Sequence, residues 1–173
     1  MSSFIDRVLR VLKLDYQVYA EVESDLSATF QAILVVILSS MAGGFGSIYK
    51  FGITGIFTGF VMSLGGWMVW TCLVYLIGIK IVPAAETQSN PVQLLRTAGF
   101  ASAPGIFRLA GIIPLLDTFV WLSTSLWMLV TMIMATRQTL DYQKPVRAVI
   151  VCGLGFIVYV LVFILFFLIS DVV

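Results

Sequence analysis

Residues 53–79 read ITGIFTGFVMSLGGWMVWTCLVYLIGI, a run of 27 positions without a charged side chain. At a rise of 1.5 Å per residue, about 20 residues of α-helix cross a hydrocarbon core of about 30 Å. Backbone groups in lipid must be hydrogen-bonded within the segment, which favours a helix over an open strand. The run therefore predicts a membrane-spanning helix.

Four further apolar runs flank this one, at residues 28–48, 98–116, 118–136 and 148–169. The run at 98–116 differs from the others because it contains Pro104, Gly105 and Arg108. The predicted fold class is all-α: a polytopic membrane protein whose five-helix transmembrane bundle occupies residues 28–173. Residues 1–27 form a separate cytoplasmic segment that is amphipathic and then acidic.

The composition excludes several functional classes. Apolar residues make up 60% of the 173 positions and charged residues 11%, whereas a soluble domain is about 25% charged. Histidine is absent, which removes the commonest general base and transition-metal ligand. A net charge of +1 gives no basic surface for nucleic acid. We therefore expect no cofactor, no metal, no nucleic-acid partner and no enzymatic activity.

The distribution of basic residues predicts the orientation. In the five-span topology one side carries eight Lys and Arg, the other carries only Lys50, and Arg108 lies within the membrane. Positive charge near the ends of spans is retained in the cytoplasm, so the N-terminus is expected there and the C-terminus on the opposite face. The eight are Arg7, Arg10, Lys13, Lys80, Arg96, Arg137, Lys144 and Arg147.

An amphipathic helix is predicted ahead of the first span. Its apolar residues gather on one face, and the charged residues between them occupy the other face. The helix is either a membrane-surface or partner-binding element or a segment that packs under the bundle. The apolar residues are Phe4, Ile5, Val8, Leu9 and Leu12.

Three acidic residues, Glu21, Glu23 and Asp25, precede the first span. Negative charge is favourable at a helix N-terminus, so capping and solvation explain the group as well as a cytoplasmic contact does. We keep the three as candidate contact residues.

Small residues recur on the second span at intervals of 3, 4, 4 and 3 positions. This spacing places them on one helical face, where they allow another backbone to approach closely. The partner is either another helix of this chain or a second copy of it. The residues are Gly52, Gly55, Gly59, Ser63 and Gly66.

The third run begins and breaks at identifiable residues. Asn90 followed by Pro91 predicts a helix start, with Asn90 as N-cap. Pro104 and Gly105 then weaken the helix inside the membrane. Such a break frees backbone carbonyls, which line sites in transporters and elsewhere are covered by neighbouring helices.

Arg108 follows that break. Insertion of a central arginine costs about 2.5–3.5 kcal/mol, so its side chain requires compensation. One interpretation is structural: the side chain extends to the far interface, and Asp117 is the candidate partner. The other is functional, with Arg108 contacting a substrate or a lipid headgroup.

Several stretches, taken in order, resemble the prokaryotic branch of the Yip1 domain family. They are 19–25 (YAEVESD), Gly66-Trp67, 99–104 (GFASAP) and 137–142 (RQTLDY). The resemblance implies a five-helix membrane bundle without known catalytic residues. Eukaryotic relatives are associated with early secretory traffic, membrane shaping and prenylated small GTPases, and they carry a long N-terminal region that is missing here. We therefore expect a bacterial plasma (inner) membrane protein.

Two functions follow as hypotheses. The first is a non-enzymatic protein that organises membrane or partner proteins through helix packing and lipid contact; its partners would be membrane lipids and a homo-oligomer or another membrane protein. The second is a small transporter, channel or lipid-moving protein that uses the broken third span and Arg108.

Overall fold

The computed structural model describes residues 3–83 and 90–170, and all regular secondary structure in these two ranges is helical. The all-α prediction is confirmed for this part of the chain. The elements are α1 (Phe4–Leu12), α2 (Gln17–Ser24), α3 (Ala28–Gly46), α4 (Ile48–Lys80), α5 (Pro91–Ala101), a 3₁₀ helix (Ala103–Ile112), α6 (Asp117–Thr139) and α7 (Pro145–Ser170).

Three helices of the described part are long and apolar enough to cross a membrane. They are α3, the Phe51–Lys80 part of α4, and α6. A shorter apolar helical stretch, Pro145–Leu161, lies in α7. These helices are compatible with the predicted membrane location.

The helix start at Asn90 is confirmed. The Asn90 side chain accepts a hydrogen bond from the Val92 backbone N–H at 3.0 Å. The Gln93 side chain in turn accepts from the Asn90 backbone N–H at 2.9 Å, which completes a capping box. Pro91 follows at the first helical position, where its missing N–H leaves no bond unmade.

The third apolar run is not one continuous α-helix. α5 ends at Ala101, and a 3₁₀ helix replaces it from Ala103 to Ile112. Pro104 has no N–H to continue the α-helical ladder, and the Gly105 N–H instead bonds the Ser102 carbonyl three residues back at 2.9 Å. At a rise of about 2.0 Å, ten 3₁₀ residues cover roughly 20 Å, more than the same residues would in an α-helix.

Neighbouring helices satisfy the carbonyls around this break. The Trp67 indole N–H of α4 donates to the Ala98 carbonyl at 3.3 Å. The Thr131 hydroxyl of α6 donates to the Ala101 carbonyl at 2.7 Å. Of the two outcomes weighed for such a break, the structure shows coverage by adjacent helices at these two carbonyls.

The long segments pack in a ring. α3 packs against α4 and against the 3₁₀ helix, α4 against α7, α7 against α6, and α6 against the 3₁₀ helix. The path of α5 and the 3₁₀ helix follows α3, because Gly99 lies against Ala32 and Gly111 against Gly46. Each of the five segments therefore has two neighbours in the ring.

The small residues of α4 mostly face other helices of this chain. A Cβ added at Gly59 would lie 3.0 Å from the Gly44 Cα of α3, and one at Gly66 would lie 2.7 Å from the Tyr159 hydroxyl of α7. Gly52 departs from the predicted common face. Its φ of +64° and ψ of −156° interrupt the helix, a conformation that glycine adopts without steric cost.

The N-terminal helix α1 agrees only in part with its predicted amphipathic arrangement. Three of the five predicted apolar residues pack against the core, namely Phe4, Val8 and Leu12. The Phe4 ring lies 6.5 Å from that of Phe100, whereas Ile5 and Leu9 point outward. Arg7, expected on the polar outer face, is buried. The ion pairs described below explain this difference, because they give the buried guanidinium its counter-charges.

Candidate functional site

The backbone of Arg108 lies beside the C-terminal end of α3. A Cβ added at Gly46 would overlap the Arg108 carbonyl oxygen, which shows how closely the two backbones approach. The arginine stem then passes Gly43, where an added Cβ would lie 3.9 Å from Arg108 Cδ. The side chain thus extends back along α3, from the level of Gly46 towards the level of Gly43.

The guanidinium of Arg108 reaches α6. Its Nη2 donates to the Ser125 hydroxyl at 3.2 Å. Ser125 lies eight residues after Asp117, the first residue of α6, which is about 12 Å along the helix. Arg108 therefore points into the ring rather than towards the predicted far interface.

The predicted Arg108–Asp117 pair is not formed. Among the ion pairs that the structure shows for residues 3–83 and 90–170, none joins these two side chains. The inward direction of the arginine side chain explains the difference, because Ser125 lies two helical turns deeper in α6 than Asp117 does.

Two more hydroxyl groups lie around Arg108. The Ser63 hydroxyl of α4 faces Gly43, at 2.5 Å from the position of an added Cβ. Tyr159 of α7 lies within electrostatic range of Arg108, and its hydroxyl faces Gly66 of α4. Four segments of the ring thus contribute a polar side chain here: the 3₁₀ helix, α4, α6 and α7.

Part of the guanidinium is unsatisfied. The Arg108 Nε–H is buried and has no hydrogen-bond acceptor among the described residues. Serine and tyrosine hydroxyls can donate as well as accept, whereas a guanidinium only donates. The arrangement is therefore rich in donors, and its chemistry suits a group that carries anionic oxygens.

A second polar cluster fastens the N-terminal helices to the bundle. Arg7 donates to Glu21 at 2.9 Å, to Gln31 at 2.9 Å and to Asp25 at 2.6 Å. Its side chain is only 3% exposed. Arg10 adds a bond to the second Glu21 oxygen at 2.8 Å. We name Arg7, Glu21, Asp25 and Gln31 the N-terminal clamp.

The clamp gives two of the three predicted acidic residues an internal role. Glu21 and Asp25 hold α1 against α2 and the start of α3. Sequence reasoning missed the role of Arg7 because its position on α1 matched the polar face. The alternating charges of α1 and the acidic group before α3 are the signal that could have indicated a contact between them.

Glu23 faces α6 instead. It accepts a hydrogen bond from the Gln138 side chain at 3.1 Å. Burial raises the pKa of the Glu23 carboxyl, while the Gln138 bond and the nearby Arg96 act in the opposite direction. Arg96 itself is 4% exposed, and two of its nitrogens, Nε and Nη1, have no acceptor among the described residues.

The clamp is expected to respond to acid. The Ser27 hydroxyl and then Arg7 hold the pKa of Asp25 at about 2, below its ordinary value of 3.8. A lowered folded-state pKa stabilises the docked state above the ordinary value, and this contribution is lost as pH falls towards about 2. A nitroxide at Lys13→Cys, in a Cys72→Ser background, should therefore gain mobility only below about pH 4.

Asp25→Asn provides the control for this titration. Removing the carboxylate should make the nitroxide mobile already at pH 7 and flatten its response between pH 7 and pH 2. Mobility of the parent protein that rises between pH 7 and pH 5 would contradict the assignment of the response to Asp25.

Comparisons with protein-family models, curated proteins and solved structures find no match to this chain.

Proposed function

We propose that the chain is a non-enzymatic integral membrane protein of the Yip1 type that organises the surrounding membrane and its partner proteins through helix packing and lipid contact. The observation that carries this proposal is the fixed orientation of α1. The N-terminal clamp holds one side of this helix against the bundle, and an apolar edge remains on the other side.

The apolar edge consists of Ile5 and Leu9, one helical turn apart. Ile5 is 67% exposed and Leu9 48% exposed. Asp6 and Lys13, which are also exposed, lie nearby on α1 and the residue that follows it. A helix with an exposed apolar edge binds at the membrane surface, where its apolar side chains enter the acyl region. A protein that holds such a helix rigidly can alter lipid packing around itself.

Five membrane passes are part of the same proposal. The path of α5 and the 3₁₀ helix along α3 supports a third pass, since their combined rise is about 36 Å. The packing of α7 against α4 supports a fifth pass. With eight basic residues on one side, we place the N-terminus in the cytoplasm of a bacterial inner membrane and the C-terminus on the opposite face.

The non-enzymatic assignment is supported by how the acidic groups near α1 and α2 are used. Glu21 and Asp25 are bound by Arg7, Asp15 by Arg10 at 2.7 Å, and Glu23 by Gln138. Carboxylates held in this way serve as structural ion-pair and hydrogen-bond partners.

Membrane organisation can be tested by reconstituting the full chain into lipid vesicles at increasing protein-to-lipid ratios. Cryo-electron microscopy should show that vesicle diameter falls as the ratio rises. In an Ile5→Ser/Leu9→Ser variant we expect this dependence to be lost, because the apolar edge of α1 no longer enters the lipid. Asp6→Ser/Lys13→Ser is the matched control on exposed positions and should behave as the parent protein does.

Equal vesicle diameters for the parent protein and the Ile5→Ser/Leu9→Ser variant would contradict the proposed role of α1.

Native mass spectrometry of the protein released from its own membrane tests whether the chain binds a partner protein. A fixed homo-oligomer or a reproducible second membrane protein is the expected result, and a chain that is always alone argues against an organising function.

A further inference from the structure

We propose that the ring of segments binds an anionic phosphate group at Arg108. This inference is independent of the proposed action of α1, because it concerns a different part of the molecule. The site consists of Arg108, Ser63, Ser125 and Tyr159, which come from four segments.

The first argument is the balance of donors and charge. Arg108 contributes a permanent positive charge, and the three neighbouring side chains contribute hydroxyl groups. Within the described residues, no ion pair neutralises Arg108. A phosphate group offers several anionic oxygens, which match the planar guanidinium and accept from the hydroxyls at the same time.

The second argument is the unsatisfied Nε–H of Arg108. Buried polar groups are nearly always hydrogen-bonded, and an exception requires an explanation such as a bound ion. Arg7 provides the comparison within this chain, since it donates to two carboxylates and one amide oxygen. Arg108 donates to a single acceptor among the described residues, the Ser125 hydroxyl. Arg7, which fastens α1 to α2 and α3, is thus much better satisfied than Arg108.

The third argument is the direction of the side chain. An arginine near a membrane interface lowers its cost by extending towards water. Arg108 instead extends inward along α3, from the level of Gly46 towards that of Gly43, where charge is expensive. A ligand inside the ring gives this direction a physical reason, because its negative charge compensates the guanidinium.

The hydroxyls of the site pack directly against two glycines. Ser63 Oγ lies 2.5 Å from a Cβ added at Gly43, and the Tyr159 hydroxyl lies 2.7 Å from one added at Gly66. The four polar residues are all half-buried rather than fully enclosed. A phosphate can come from the headgroup of a phospholipid or from free phosphate, and both would use the same donors.

The test uses the full chain in a neutral detergent, with thermal unfolding as the readout. The probes are dioctanoyl phosphatidylglycerol, dioctanoylglycerol, which lacks the phosphate, and inorganic phosphate. Phosphatidylglycerol should raise Tm by about 5–10 °C at a hundredfold excess over its half-saturating concentration. Dioctanoylglycerol should give no such increase.

Two variants locate the effect. Arg108→Met should raise the half-saturating concentration by on the order of tenfold or more, because the charged donor is lost. Arg147→Met removes an exposed cation near the start of α7, outside the proposed site. It should leave the half-saturating concentration unchanged. If Arg108→Met does not fold, Ser125→Ala tests the same site, with an expected increase of about three- to tenfold.

Each result decides between explanations. An equal increase in Tm with phosphatidylglycerol in Arg108→Met and Arg147→Met contradicts phosphate binding at Arg108. An increase in Tm with dioctanoylglycerol contradicts it as well. With Ser125→Ala as the only folded site variant, an unchanged half-saturating concentration overturns it as well. An Arg108-dependent or Ser125-dependent response to inorganic phosphate alone supports the site and identifies free phosphate as its ligand.

Discussion

Valine at Gly59 is expected to destabilise the protein strongly, whereas valine at Gly65 of the same helix is expected to have little effect. An added Cβ at Gly59 would lie 2.8 Å from Ser47 Oγ and 3.0 Å from Gly44 Cα. Because Gly44 meets α4 through backbone atoms, the contact cannot relax by rotating a side chain. Overpacking of this kind costs about 1–3 kcal/mol, and more where backbones must separate.

Gly65 is a matched control. Nothing lies within 4 Å of a Cβ added there, and valine carries the same β-branched penalty at both positions of the helix. Thermal unfolding in detergent should show a Tm lower by several degrees for Gly59→Val than for Gly65→Val, at about 2–4 °C per kcal/mol.

The subunit count separates the two predicted uses of the small-residue face. If Gly59 serves packing within the chain, Gly59→Val lowers Tm in every oligomeric state. If the face instead joined two copies, Gly59→Val would change the mass of the complex while each chain kept its Tm. The second outcome would contradict the packing of α3 on α4 described here.

Replacing Arg7 with methionine is expected to release the N-terminal helices from the bundle. The substitution removes three hydrogen bonds and leaves Glu21 and Asp25 side by side without the Arg7 charge. Removing one partner of a buried ion pair is more damaging than replacing the whole pair, because the remaining charges lose their compensation. Limited proteolysis within residues 3–24 should become faster by on the order of tenfold or more.

Lys13→Met is the control for this experiment, since Lys13 is an exposed cation that follows α1. It should be cleaved at the parent rate. Arg7→Lys should rescue only part of the protection, because one ammonium group cannot reproduce the planar fork that reaches three acceptors. Equal cleavage rates for Arg7→Met and Lys13→Met would show that the clamp does not hold α1 in place.

The apolar runs and the helix start at residue 90 could be predicted because both depend on local sequence. A run such as 118–136 contains its own evidence for a helix, and the structure places α6 at Asp117–Thr139. The cap at Asn90 needs only Val92 and Gln93, which are two and three residues away. Periodicity and capping are properties of neighbouring residues, so the sequence contains them directly.

The length of the 3₁₀ helix could not be predicted in the same way. Pro104 indicated a break in the helix, but a proline is equally compatible with a kink followed by more α-helix. The 3₁₀ conformation continues over ten residues while the segment packs between α3 and α6. Those neighbours, such as Thr131 on the Ala101 carbonyl, are distant in the sequence.

The sequence by itself determined the helical class, the apolar segments and the residues that required compensation, foremost Arg108. Only the tertiary structure decided how each charge is compensated. Arg7 turns inward because Glu21, Asp25 and Gln31 meet it there, and Arg108 turns towards Ser125 rather than Asp117. The direction of a long side chain depends on which partners the fold brings within about 3 Å, and helix periodicity carries no information about partners on other helices.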